Sequence, residues 1–139
     1  QYSSMMHLLV LYAAAGVILG HNFPFYLNFR GGKGIAATAG LVLSFHPVMA
    51  VLGIITFFGI FFTTHYVSLG SLVVYAGLMI EMVIFGQMGW FDLSQNHLIE
   101  LYILMALLTA LAYWKHRGNI KRLLSGTERK TYLTKKSQQ

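Results

Sequence analysis

The chain has 139 residues, of which 56% are apolar and 10% charged, and its formal net charge is +6. Soluble domains carry about 45–50% apolar residues on a similar count and about 25% charged ones. So few charges cannot cover a water-soluble globule of this size, which excludes a soluble enzyme, a disordered chain and a nucleic-acid-binding domain and leaves an integral membrane protein.

A membrane helix takes about 20 mostly apolar residues, with a range near 17–25. The sequence opens on Gln1 within a hydrophobic stretch, without a basic n-region or a small-residue cleavage site. No signal peptide is expected, and such an opening suggests a missing upstream segment. Residues 5–20 form a first, slightly short span.

Residues 20–34, GHNFPFYLNFRGGKG, precede the next apolar run. Gly31, Gly32 and Gly34 let the backbone approach a ligand and expose N–H groups. Arg30 and Lys33 add full charges, and the following helix N-terminus adds a partial one. Together they read as a phosphate cradle. It is not a Walker A loop, since Gly34 stands where Ser or Thr is required. The plainer alternative is a glycine turn with two cations at the interface.

Residues 35–64 are too long for one comfortable span, and the residue before Pro47 is biased away from helix. The expectation is a short helix over 35–45 and a second over 47–62. The first rises about 16 Å, around half a bilayer core, so it is re-entrant, tilted or packed among other helices. The turn at 64–71, THYVSLGS, places Ser68 and Ser71 three apart, on one helix face. Their hydroxyls either cap the helix or bond phosphate oxygens. Residues 66–85 form a clean span with Glu81 late in it. The loop at 87–96 carries Asp92 and no Lys or Arg, and 98–114 is the last span.

Eight of the ten basic residues lie in the tail, 115–139, and none lies between residues 34 and 114. The positive-inside rule puts the Arg30 loop and the tail on the cytoplasmic face. Four crossings then link them, and the segments at 20–34, 64–71 and 115–130 converge on that face. His116 and Asn119 share a helix face there, where a His–Asn pair can orient a hydroxyl or accept its proton. Glu128 is the only acid of this segment and can hold a cation in register. An ordinary basic juxtamembrane helix is the alternative. His7, His46 and His97 have no metal-ligand spacing, and neither a metal nor a cofactor is expected. Trp90, Tyr113 and Trp114 suit an interfacial aromatic belt.

Taken together, three ordered segments resemble the acyl-phosphate-dependent glycerol-3-phosphate acyltransferases. The pattern G-H-x-F-P…F-[KR]-G-G-K-G is matched by Gly20, His21, Phe23, Pro24 and residues 29–34. Y-V-S-L-x-S is matched at 66–71. H-R-x-N-I-x-R-L…G-T-E-x-K is matched by His116, Arg117, Asn119, Ile120, Arg122, Leu123, residues 126–128 and Lys130. The resemblance covers essentially the whole chain and implies an all-α polytopic membrane bundle. About five membrane helices or half-helices are counted here, where the family has seven. Two departures stand out: His65 replaces the Arg that usually precedes Y-V-S-L, and the family's upstream Ser/Asn/Gly-rich motif is absent. The chain therefore looks like the C-terminal two-thirds of such an enzyme.

The resemblance implies a bacterial inner-membrane enzyme whose site faces the cytoplasm. It would transfer a fatty acyl group from acyl phosphate to the 1-hydroxyl of glycerol 3-phosphate, giving lysophosphatidic acid and phosphate. Its partners would be those two substrates, the lipid bilayer and a missing N-terminal segment. The implied catalytic residues are His116, Asn119 and Lys33. The implied substrate and phosphate contacts are His21, Arg30, Gly31, Gly32, Gly34, Ser68, Ser71, Arg117 and Glu128. A carrier of small phosphorylated anions is the rival reading, since broken helices and cytoplasmic cations suit it too. An inactive membrane anchor is the third.

Overall fold

His46 and Pro47 fix how the first half of the bundle folds. The structure, a computed structural model, describes residues 5–24, 27–28, 31–33 and 35–133. It contains α1 (Met6–Asn22), α2 (Ile35–Phe45), α3 (Pro47–Thr64), α4 (Val67–Gln87), α5 (Gln95–Lys115) and α6 (Arg117–Leu124). Between α2 and α3, His46 is extended, with φ −158° and ψ 132°, and its ring accepts from the Val48 N–H at 3.2 Å. Pro47 takes the first helical position, where its missing N–H removes no intrahelical bond. Proline thus starts a new helix rather than kinking an old one.

α3 ends at His65, which is left-handed at φ 60° and donates its backbone N–H to the Phe61 carbonyl at 2.7 Å. Tyr66 is already extended and α4 begins at the next residue, so the chain reverses within two residues. The α4–α5 turn uses positive φ at Gly89 (80°) and Asp92 (49°). It tucks Phe91 against the rings of His7 and Phe45, with both centroids 5.1 Å away.

Each of the first five helices packs on its neighbours in sequence, and α5 returns to α1. Leu11, Met49, Met82, Leu101 and Met105 fill the shared interior. Val17, Ile55, Ile80 and Leu107 point outwards and are exposed. A bundle apolar on both its inner and outer faces is built for lipid. α3, α4 and α5 are long and apolar enough to cross a membrane, while α1 and α2 are shorter apolar helices. At 1.5 Å per residue, the 11 residues of α2 rise about 16 Å. All regular structure among the described residues is helical, as expected for an integral membrane bundle. α5 starts at Gln95, three residues before the expected span, because polar residues continue its first turn.

Candidate active site

The polar ends of α1, α4 and α5 meet at one end of the bundle. The carbonyl of Asn22, the last residue of α1, accepts from the Gly31 N–H at 3.1 Å and from Lys115 Nζ at 2.8 Å. The same ammonium lies 4.2 Å from the centroid of the Phe23 ring. Residues 31–33 are thereby fastened to the end of α5. A Cβ on Gly31 would collide with the His21 carbonyl oxygen and Pro24 Cδ, and would lie 2.7 Å from the Asn22 carbonyl carbon. Backbone atoms cannot step aside as a flexible side chain can, so Gly31→Ala must displace the loop and Lys33 with it. We expect this substitution to lower kcat/KM of the reaction proposed below by about tenfold, because small misplacements of reacting groups are costly. Helix content by circular dichroism should stay unchanged, which separates misplacement from unfolding.

Lys33 Nζ donates to Asn119 Oδ1. Asn119 in turn donates through Nδ2 to Glu128 Oε1 at 2.7 Å, and Ser68 Oγ donates to the same oxygen at 3.1 Å. Arg122 Nε closes the other side of the carboxylate, 2.8 Å from Oε2. Burial alone would raise the Glu128 pKa, but the hydrogen bonds from Asn119, Arg122 and Ser68 together outweigh it and hold the carboxyl below the usual range. Glu128 is therefore an ionised hub fixing three segments.

His116 sits at the α5–α6 junction and is fully buried. Its Nδ1 lies 2.8 Å from the Ala112 carbonyl oxygen. A carbonyl only accepts, so Nδ1 carries the proton and Nε2 presents a lone pair. Nε2 has no hydrogen-bond partner among the described residues. Desolvation by burial is the main cause that lowers the His116 pKa below its ordinary value of 6.5, helped by the charge of Lys33; the Ala112 bond and Glu128 oppose it. Lys33 is likewise pushed below its ordinary 10.5, first by burial, while Glu128 raises it and Arg122 lowers it.

Lys33, Ser68, His116, Asn119 and Glu128 line a polar cleft of about 190 Å³, with Arg129 and Thr131 contributed by the tail and Ile35 and Val67 by the starts of α2 and α4. Ile35 also lines a larger apolar groove of about 280 Å³ between α2, α3 and α4. Thr38, Val42, Ala50, Gly53 and Tyr75 form part of that wall. Thr38 Oγ1 and the Tyr75 hydroxyl share a hydrogen bond there.

Of the residues singled out in the sequence, Lys33, Ser68, His116, Asn119 and Glu128 come together in the cleft. Gly31 and Gly32 lie in the loop that leads to it, Gly32 against the His21 ring. Arg30 and Gly34 lie outside the described residues. Three residues are placed elsewhere. His21 is exposed and does not line the cleft. Ser71 donates to the Val67 carbonyl at 2.9 Å and lines the apolar groove. It shares a helix with Ser68, but its oxygen is taken up by the preceding turn. Arg117 is exposed, donates to the Trp114 carbonyl at 2.9 Å and stacks 4.5 Å over that ring. Glu81 is half-buried in α4, and its Oε2 has no hydrogen-bond partner among the described residues.

Sequence reading missed Lys115, Arg129, Thr131 and the Thr38–Tyr75 pair. Lys115 had a usable signal, a cation directly at the end of an apolar span. The apolar wall had none, because its residues are those of any membrane helix.

The family model described as glycerol-3-phosphate acyltransferase matches residues 2–126. A glycerol-3-phosphate acyltransferase of Halalkalibacterium halodurans is 45% identical over 120 residues, covering 85% of this chain and 55% of that one. One from Rhizobium etli is 37% identical over 112 residues, covering 81% and 49%. Crystal structures of PlsY (YgiH), an integral membrane glycerol 3-phosphate acyltransferase, in its glycerol 3-phosphate and lysophosphatidic acid forms, superpose with a TM-score of 0.71 at 30% identity. They match 83% of this chain and 52–54% of theirs. The chain thus spans about half the length of the relatives it matches, where the span count suggested two-thirds. With a family match over residues 2–126 and five of the motif residues, Lys33, Ser68, His116, Asn119 and Glu128, gathered in one cleft, this membrane protein belongs to the glycerol-3-phosphate acyltransferase family.

Proposed function

We propose that the cleft is the acyl-transfer site of an enzyme joining a fatty acyl phosphate to glycerol 3-phosphate. The observation that carries this reading is that the polar cleft and the apolar groove meet at Ile35. An acyl phosphate needs both surfaces at once, a cationic seat for its head and an apolar channel for its chain. Lys33 supplies charge at the head. His116 Nε2 supplies an acceptor for the attacking hydroxyl, and a buried acceptor without a partner costs about 1–3 kcal/mol, so the site favours a donor there.

In this mechanism the 1-hydroxyl oxygen of glycerol 3-phosphate attacks the acyl carbonyl carbon, and its proton passes to His116 Nε2. The bond from that carbon to the bridging phosphate oxygen breaks, and phosphate leaves with the electron pair. Lys33 stabilises the departing charge. Asn119, held by Glu128, positions Lys33. Phosphate is a good leaving group, so positioning and charge stabilisation provide most of the rate. The cleft lies at the end of the bundle that carries Lys33 and the basic tail, so it faces the cytoplasm of a bacterial inner membrane. The part of the family fold that the relatives carry beyond this match completes the site.

Gly53 tests the groove. A Cβ there would meet only Val42 Cγ1, at 3.5 Å, so a larger side chain projects into the channel. Val42 lies seven residues, about 10 Å, along α2 from Ile35. Gly53→Leu should lower kcat/KM for palmitoyl phosphate by about tenfold and leave butyryl phosphate nearly unaffected, because a few methylenes of clash are worth that much. Equal loss for both chains would place the acyl tail elsewhere.

For the reaction itself, the chain is reconstituted in liposomes with palmitoyl phosphate and glycerol 3-phosphate. Lysophosphatidic acid is the expected product. No product from the chain alone, nor with the relatives' additional membrane segment supplied, would overturn the proposal.

A further inference from the structure

Beyond Gly126, where the family match ends, the described tail residues up to Tyr132 stay against the bundle. The Thr131 N–H donates to the His65 carbonyl at 2.8 Å, and the Tyr132 ring lies 4.4 Å from the His65 ring. Glu128 anchors the other end through Ser68, Asn119 and Arg122. Residues 128–132 therefore cross the α3–α4 junction as a strap, pinned on both sides of Arg129.

Arg129 lines the cleft together with Lys33. The charges there sort simply. Glu128 is matched by Arg122, and His116 is held neutral by burial. Arg129 has no carboxylate partner among the described residues, whose one ion pair is Arg122–Glu128. Lys33 and Arg129 are left as the two cleft-lining cations without an ion-pair partner among the described residues. Arg117, the cation that the motif would put forward, is turned away onto Trp114.

The geometry points to Arg129 as the second cation for a phosphate dianion, delivered by the strap and paired in the cleft with Lys33. This deepens the reading proposed above and rests on it for the identity of the substrate. A guanidinium suits the task because its planar fork offers two parallel N–H donors to two phosphate oxygens, where an ammonium acts as a point charge. The shared chemistry is a phosphate monoester or acyl phosphate dianion, and kinetics tell the two apart.

Arg129→Ala should raise KM about 10–100-fold, the loss of one charge-assisted contact, with kcat changed less than about threefold. If the strap serves glycerol 3-phosphate, only that KM rises; if it serves the donor, only the acyl phosphate KM rises. Either result supports the assignment. Arg129→Lys should recover part of the loss. Lys121→Ala removes one positive charge from the same tail without lining the cleft, and it should leave both KM values within about twofold, since exposed charges are screened.

Unchanged KM values in Arg129→Ala, or an equal rise in Lys121→Ala, would overturn the assignment. Titration with inorganic phosphate, followed by calorimetry in detergent, reads the same contact without turnover. If the wild type makes no lysophosphatidic acid, the acyl-transfer reading fails by itself. Weaker phosphate binding by Arg129→Ala would still support the anion contact, and unchanged binding would overturn it.

Discussion

His116→Ala is expected to lower kcat about 10²–10⁴-fold, the usual contribution of a positioned proton acceptor. The KM for acyl phosphate should barely move, because that substrate is held by charge and by the groove. The basis is the fixed tautomer: Nδ1 is committed to the Ala112 carbonyl, so only Nε2 can face the hydroxyl. Asparagine at this position is the sharper variant, since it can still reach a carbonyl but cannot take a proton. It should be nearly as impaired as alanine. The pH profile follows from the same contacts. Burial and Lys33 lower the His116 pKa, so the imidazole is neutral and active at pH 7 and protonates only on the acid side of 6.5. Activity should therefore fall as pH drops through that lowered value. An NMR titration of labelled His116 should give a midpoint below 6.5 that moves upward in Lys33→Ala, because one of the charges opposing protonation is gone. A midpoint above 6.5 in the wild type would contradict the buried, neutral imidazole.

Lys33→Ala should cost about 10²–10³-fold in kcat/KM, as expected for removing a preorganised charge from the site of a developing anion. Here kcat and KM should both change, since the ammonium meets phosphate in the ground state and in the transition state. Lys33→Arg keeps the charge but replaces a compact ammonium with a wide fork, which cannot keep the same bond to Asn119 Oδ1. It should recover no more than part of the activity. A Lys33→Ala enzyme within about twofold of wild type would remove the charge argument altogether.

The backbone plan was legible because its punctuation is sparse. In a chain this apolar, a proline after His46 and three polar segments have few alternative meanings. The convergence of those segments also followed from charge, since Lys33 and the tail cations must share one membrane face. Side-chain directions were not legible. Ser68 and Ser71 occupy the same helix face by spacing, yet one bonds Glu128 and the other its own preceding turn. Arg117 is adjacent to His116 in sequence, yet the helix start points it outward onto Trp114. The apolar groove could not be seen at all, because Val42, Ala50 and Gly53 meet only through the packing of α2 on α3. Arg129 escaped notice because its position is set by contacts of its neighbours Thr131 and Glu128 with His65 and Ser68, far away in sequence.

The most direct test uses glycerol 3-phosphate labelled with ³²P, offered to sealed proteoliposomes together with palmitoyl phosphate. Label appearing in lysophosphatidic acid, with one phosphate released per product and its rate of formation lowered at least about 100-fold in His116→Ala, is the predicted result. Label accumulating inside the vesicles as unchanged glycerol 3-phosphate, with no lysophosphatidic acid, would contradict acyl transfer and make the cleft the entrance of a carrier.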